Sequence, residues 1–360
     1  MLAEVLLRFG LNLSDYEIQP FGTGLINHTF KVIGNGKEYI LQQLNDDVFK
    51  HPEYIAKNLA LLQEYFKQTH PAYLFVAPIP TTSGDLLVKA TTGKIFRLFP
   101  FIKDSQTINF ISDEKQAFEA AKQFGKFSHL LKDFDSSKLK YTLTDFHNLK
   151  LRFAQFKTAY QNAQKARLDE AFEEIKEVYE YYYILQTYNQ LIENNELPLR
   201  VIHHDTKISN VLFDEQQNGL CVIDLDTVMP GYYLSDVGDM LRTYLSPANE
   251  EETNLFKVYI REDIFSAIYR GYMSEMGDVL SESEKRYFIF SGKMMIYMQA
   301  IRFLADFLNN DVYYGAKYPG HNLIRAKNQF KLLSEYVKTE ERFRQLTISS
   351  QGEMPITFGN

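Results

Sequence analysis

Between Val201 and Pro230 the chain reads VIHHDTKISNVLFDEQQNGLCVIDLDTVMP, and this stretch limits the fold more than any other. Asp205, Asp224 and Asp226 stand beside strand-like apolar runs, VLF and CVIDL. Taking a carboxylate out of water is costly unless a cation or a set of donors compensates. The fold must therefore bring positive charge to this segment, from side chains or from a metal ion. If VLF and CVIDL pair as a hairpin across the turn-prone DEQQNG, then Asp205, Asn210 and Asp224 converge at one end of it.

That convergence carries a chemistry. Asn210 and Asp224 offer hard oxygen ligands suited to Mg²⁺, which keeps several waters and takes the rest of its shell from phosphate. Asp205 is left to accept the proton of a substrate hydroxyl, and Lys207 can offset charge on a transferred phosphoryl group. His203, Asp205 and Asn210 reproduce the H-x-D-x-x-x-x-N spacing of a kinase catalytic loop, and Asp224 its later metal-binding aspartate. Asn and Asp also cap ordinary turns, but turn capping does not explain why they cluster between apolar strands. Asp226 either joins the metal shell or hydrogen-bonds the loop. His203 reads as support for the loop backbone, Asp236 as an acceptor for its N–H groups, and Cys221 as a small buried hydrophobe. Asp239 and Arg242 sit at i,i+3 spacing on the helix expected next.

Upstream, NHTFKVI and KEYILQQL flank Asn35-Gly36, a hairpin signal. Residues 51–69 space Ile55, Leu59, Leu62 and Phe66 as on a helix face, and strand candidates follow at 85–89 and 94–101. After Pro100 the chain turns helical: 112–134, then FEEIKEVYEYYYILQTYNQLI as one long helix, then a capping box at Ser281 and Glu284 ahead of KRYFIFSGKMMIYMQAIRFLADFL. The expected class is α+β, in two lobes: an antiparallel-sheet lobe with one helix, 1–101, and a larger, mainly helical lobe, 102–360. A hinge is expected near Phe99 to Asp104. Phe99 and Phe101 are candidates to receive adenine there, through backbone groups. Gly22 and Gly24, two apart between strand candidates, would let the backbone approach phosphates. Asn27 and His28 close that loop, within reach of ATP or of the acceptor.

A net charge of −7 argues against a general nucleic-acid binder. One cysteine excludes an intrachain disulfide and a multi-cysteine zinc site, and fits a reducing cytoplasm. No apolar run is long enough for a membrane span, and MLAEVLLRFG, with Glu4 and Arg8, reads as a helix and not a signal peptide.

At HHDTKISNVLFD…CVIDLDTVMPGYYLSDVGDMLRT the chain resembles the aminoglycoside phosphotransferase and choline kinase superfamily, which shares the protein-kinase-like fold. Through FGTGLINHTF, YILQQLN and FLADFLNNDVYYGAKYPGHNLIRAKNQFKLL it is similar to the N-acetylhexosamine 1-kinases within it. The resemblance implies transfer of the ATP γ-phosphoryl group to the anomeric hydroxyl of N-acetylglucosamine or N-acetylgalactosamine. It also implies Asp205 as base, Asn210 and Asp224 as Mg²⁺ ligands, and Arg302 and Tyr313 as sugar contacts. One departure stands out: the third strand should carry a phosphate-gripping lysine paired with a helix glutamate, and here offers Gln42 or Gln43. Two alternatives stay open: a related kinase for choline, an amino alcohol or another sugar, and a non-catalytic nucleotide-binding protein.

Overall fold

A computed structural model describes residues 1–22 and 27–351. Strands β1 (Glu17–Pro20), β2 (His28–Gly34), β3 (Lys37–Leu44), β4 (Val88–Lys89) and β5 (Ile95–Pro100) form one antiparallel sheet in the order β1-β2-β3-β5-β4. The β2–β3 hairpin turns at Asn35-Gly36, both left-handed, and pairs Gly34 with Lys37. Alternation gives the sheet two faces. Val32, Leu41, Phe96 and Leu98 face a small core closed by Val5 and Leu6 of helix α1 (Leu2–Arg8). Thr29, Gln42 and Arg97, register partners on the opposite face, look toward the larger lobe.

Helix α2 (Pro52–Thr69) lies between β3 and β4 in the chain, but its apolar face belongs to the larger core. Phe66 stacks on Phe127 at 6.1 Å, and Tyr65 meets Phe134 edge-on at 5.2 Å. Buried Asn58 donates to the carbonyls of Lys140 (2.8 Å) and Val228 (3.1 Å) and accepts from the Lys140 N–H (2.8 Å). Chain position and packing thus divide the molecule differently.

The larger lobe holds α3 (Glu114–Leu130), α4 (Leu149–Asn162), α5 (Lys165–Glu170), α6 (Phe172–Glu180), α7 (Tyr183–Glu193), α8 (Leu234–Tyr244), α9 (Glu262–Met276), α10 (Glu282–Arg286), α11 (Phe288–Leu308) and α12 (His321–Gln351). α11 is apolar nearly all round and is the axis of the core. α3 and α9 cross closely: a Cβ at Gly271 would stand 2.3 Å from the Phe118 carbonyl oxygen, so only glycine fits. The capping box of Ser281 and Glu284 is present, and Asp113 caps α3 by accepting from the Gln116 N–H at 3.0 Å. The single helix expected over 172–192 is two helices, parted at Tyr181-Tyr182. No Gly or Pro marks the break. Among the described residues no helix is long and apolar enough to cross a membrane.

Four short strands, β6 (Arg200–Ile202), β7 (Val211–Phe213), β8 (Gly219–Val222) and β9 (Met229–Gly231), pair as β6-β9 and β7-β8. β6 and β8 pack on α3, and the Asp-rich stretch reaches the sheet lobe through Asp226.

Candidate active site

The β7–β8 hairpin forms as the apolar runs require. Val211 pairs with Val222, and the Ile223 N–H donates to the Asn210 carbonyl at 2.8 Å, which sets Asn210 beside the Asp224 segment. The loop before it is clamped from below. Asp236, at the head of α8, accepts the N–H groups of His203 (2.9 Å) and His204 (2.7 Å). Asp239 accepts the Thr206 N–H at 3.0 Å, and Arg242 holds Asp239 at 3.0 Å, the i,i+3 pair expected. These contacts fix His204 in a left-handed conformation (φ 67°).

His203 ties the loop to the second strand. Its Nδ1 accepts the Asp205 N–H at 3.3 Å, so the proton of the neutral ring sits on Nε2 and donates to the Ile223 carbonyl at 2.9 Å. Burial holds His203 below its ordinary pKa, and burial with neighbouring His203 pushes His204 down to about 3. Both rings are neutral supports.

Asp205 receives Lys207 Nζ at 3.0 Å and Asn210 Nδ2 at 3.1 Å. Burial would raise its carboxyl, but the Lys207 charge and the hydrogen bonds from Lys207 and Asn210 outweigh burial and hold it below the usual carboxylate range. Asp205 is therefore ionised and aimed, as a proton acceptor requires. Because Asn210 gives its amine to Asp205, its amide oxygen stays available as a ligand. Asp224 has neither a hydrogen bond nor an ion pair among the described residues. Enclosure by protein, then the Asp226 and Asp205 carboxylates, push it up to about 7. Solvent nonetheless reaches this side chain, so the like charges are the part of the shift that persists. Among the described residues, three carboxylates meet two contacting cations, Lys207 and Arg97. A divalent ion held by Asn210 and Asp224 fits that deficit. Among the described residues no cluster of three His, Cys, Asp or Glu forms a closed cage, and Mg²⁺ needs none, taking one or two carboxylates together with water and phosphate.

Asp226 turns away from that role. Its carboxylate pairs with Arg97 through Nη1 (2.5 Å) and Nη2 (2.8 Å) and accepts from Asn27 Nδ2 at 3.0 Å. Arg97 and Asp226 are 1% and 2% exposed. Asn27 also accepts the Asn45 N–H at 3.0 Å, so both ends of its amide are committed to joining the lobes. Gln42, and not Gln43, faces this cluster: its Oε1 accepts from Arg97 Nε (3.1 Å) and Nη2 (2.8 Å). Arg97 has no motif to mark it in the sequence; its signal is a lone cation in the strand IFRLFP, on the same face as Gln42.

The remaining nucleotide candidates lie along the same sheet. Gly22 is left-handed (φ 74°) with open space around it, and Gly24 falls outside the described residues. Phe101 lies under Lys31 Nζ at 3.8 Å and edge-on to Phe21 at 6.0 Å. Its N–H is already given to the Glu38 carbonyl at 3.1 Å, so Phe101 presents a ring and not that donor. Phe99 carries the Arg97 guanidinium at 4.9 Å. His28 is exposed at the head of β2, and by alternation shares the face of Phe30 and Val32 instead of that of Thr29 and Gln42.

A pocket of about 440 Å³ opens between α4, α11 and the loop after α11, lined by Arg152, Gln155, Arg302, Asp306, Tyr313 and Tyr314 among others. Arg302 lies against the rings of Phe146 (5.8 Å) and Tyr314 (5.5 Å) and donates to Gln299 Oε1 at 3.2 Å. Tyr313 is 71% exposed, its N–H fixed by Asp306 Oδ1 at 2.7 Å. Arg302 and Tyr313 are thus brought together. Phe146 and His147 stack at 4.3 Å, and His147 meets His204 at 5.5 Å, a chain of rings that runs from Arg302 to the Asp205 loop. Arg152, Gln155 and Asp306 were not singled out from sequence; each is one polar residue in an ordinary helix pattern.

A sheet lobe over a helical lobe, with two carboxylates and an amide drawn together between them, defines a phosphotransferase of protein-kinase-like fold. Residues 17–263 match the APH phosphotransferase enzyme family, and the chain belongs to that family. Similar frames occur in a microcompartment-associated aminopropanol kinase (TM-score 0.66, 12% identity, 95% of this chain and 97% of that one). They occur also in a spectinomycin phosphotransferase in complex with ADP and spectinomycin (0.59, 14%, 94% and 98%) and in choline kinase from Cryptosporidium parvum Iowa II (0.54, 15%, 98% and 97%). At such identities the likeness speaks for the fold alone.

Proposed function

We propose that the protein is a small-molecule kinase that transfers the γ-phosphoryl group of ATP to the anomeric C1 hydroxyl of an N-acetylhexosamine, in the cytoplasm. The observation that carries phosphoryl transfer is the ionised Asp205 held between Lys207 and Asn210 beside unpaired Asp224. Asp205 accepts the hydroxyl proton as the sugar oxygen forms its bond to the γ-phosphorus; the bond to the β–γ bridging oxygen breaks, and ADP leaves with that electron pair. An anomeric hydroxyl is more acidic than an ordinary alcohol, so an aimed carboxylate of low basicity serves. Lys207, half exposed, stays close enough to Asp205 to share charge on the moving phosphoryl group. Mg²⁺ bound by Asn210 and Asp224 would neutralise phosphate charge. Phe99 and Phe101 offer rings to the purine, and Gly22 with Gly24 the close backbone approach. Asn27 holds Asp226 beside Asp224, and His28 stays a candidate acceptor contact at the head of β2.

The acceptor class is argued from the ≈440 Å³ pocket. It carries two guanidinium groups, Arg152 and Arg302, each lending the other like-charge repulsion. Asp306, the carboxylate there, has both oxygens taken by Tyr313, Tyr314 and Asn322. A quaternary ammonium or an aminoglycoside would meet positive charge, whereas neutral sugar hydroxyls and an acetyl carbonyl accept from arginine. Tyr313 and Tyr314 add ring faces for a sugar. A coupled ADP-release assay with Mg·ATP against sugars, choline, amino alcohols and aminoglycosides tests this. Turnover confined to N-acetylhexosamines supports the assignment. Turnover only on cationic acceptors refutes the acceptor class, and nucleotide binding without turnover refutes the kinase reading.

A further inference from the structure

We propose that Arg97 is the positioning residue for nucleotide phosphates, doing from β5 the work that the third-strand lysine does in other kinase-like sites; this rests on the kinase reading above. Three observations carry it. Gln42, at the lysine's place on β3, is the register partner of Arg97 on β5, and both face the larger lobe. A guanidinium only donates, so Arg97 fixes the Gln42 amide one way: Oε1 inward to Arg97, Nε2 outward to the Thr29 hydroxyl at 3.3 Å. The half-buried amide thus presents its donors on the sheet face that looks toward the larger lobe, with a buried positive charge directly behind it. The phosphates of a nucleoside triphosphate are the acceptors that such a backed donor suits.

The second partner of Arg97 completes the substitution. In the protein-kinase arrangement the lysine pairs with a glutamate on the helix after the third strand. Here both glutamates of that helix, Glu53 and Glu64, are exposed, and Asn58 pins the helix to the larger lobe. Arg97 pairs instead with Asp226, two residues beyond Asp224. The cation has moved one strand over, and its carboxylate partner has moved from the helix to the loop that carries the metal ligand. Nucleotide grip and metal-loop position are thereby coupled through one buried pair.

Arg97→Gln alone leaves Asp226 unpaired and buried, so the double variant Arg97→Gln/Asp226→Asn, which keeps the hydrogen-bonding shapes, accompanies it. ADP affinity is measured by calorimetry, and the KM values for ATP and acceptor are measured separately, beside thermal melting. The expected result is a melting point near wild type for the double variant, with ATP and ADP binding about 10- to 100-fold weaker and acceptor KM unchanged. Adding Gln42→Lys, which returns a cation to β3, should recover most of the lost affinity, a rescue that a packing defect would not show. Unchanged nucleotide affinity in a folded double variant, or a loss that Gln42→Lys leaves untouched, overturns the proposal. Wild-type protein that binds ADP but turns over no acceptor removes the kinase reading and leaves the calorimetric comparison standing. Wild-type protein that binds neither ATP nor ADP removes both.

Discussion

The surroundings of Asp205 hold it ionised without hiding it, as the proposed base role needs. Asp205→Asn keeps the shape and the Asn210 contact but cannot take a proton. Turnover is expected to fall about 10²–10⁴-fold with ATP affinity nearly unchanged, read by ADP release beside nucleotide titration. An equal loss of ATP affinity would mean that Asp205 binds instead of reacting. Asp236 is a costly support to lose, since its removal leaves two buried N–H groups without acceptors. Asp236→Ala is expected to lower stability by about 2–4 kcal/mol, seen as an earlier denaturant midpoint; an unchanged midpoint would show that water replaces it. Much of this was legible in sequence. The spacing of Asp205, Asn210 and Asp224 fixes their convergence once two short strands pair, and Asp236 was read as the acceptor it is. Arg97 was not, because its partner Asp226 is 129 residues away and nothing local marks the pair.

At the scale of elements, α2 decides how the lobes meet. It follows the sheet in sequence but is packed against the larger lobe, with Asn58 bridging to the backbone at Lys140 and Val228. Asn58→Leu would strand those groups in an apolar seam. A loss of about 1–3 kcal/mol is expected, with weaker ATP binding as the sheet lobe loosens; hydrogen exchange confined to 52–69 and 138–142 would locate it. The helices over 51–69 and 112–134 were readable from apolar spacing, and the Asn-Gly hairpin and the Ser281 capping box from local chemistry; the division of the run after Ser281 into α10 and α11 was not. The break between α6 and α7 was not, because YEYYYIL carries no breaker and only tertiary packing, with Tyr181 buried and Tyr182 exposed, sets it. The side-by-side placement of Arg152 and Arg302, on helices far apart in the chain, was likewise invisible.

For the molecule as a whole, stability should depend on pH through an acidic run outside the site. Burial, then Glu174, Glu180 and Glu173, push Glu177 up to about 7 from an ordinary 4.5. The folded chain holds this proton where the unfolded chain has released it. The contribution is therefore complete below pH 4.5 and is lost as pH rises through about 7. Glu177→Gln should match wild type near pH 4 and exceed it at pH 8 by at most about 1 kcal/mol, since the side chain is only partly shielded. A variant equally stable at both pH values would show that Glu177 titrates normally. The two lobes are joined by Arg97–Asp226, Asn27–Asp226 and Asn58, and the proposed function divides the site between them into an arginine-bearing acceptor side and a carboxylate-bearing phosphate side. The most direct test of that division is the structure of the product. After reaction of Mg·ATP with N-acetylglucosamine or N-acetylgalactosamine, phosphorus NMR should show the new phosphate coupled to the anomeric proton. A phosphate on another hydroxyl, or ADP accompanied only by inorganic phosphate, would contradict it.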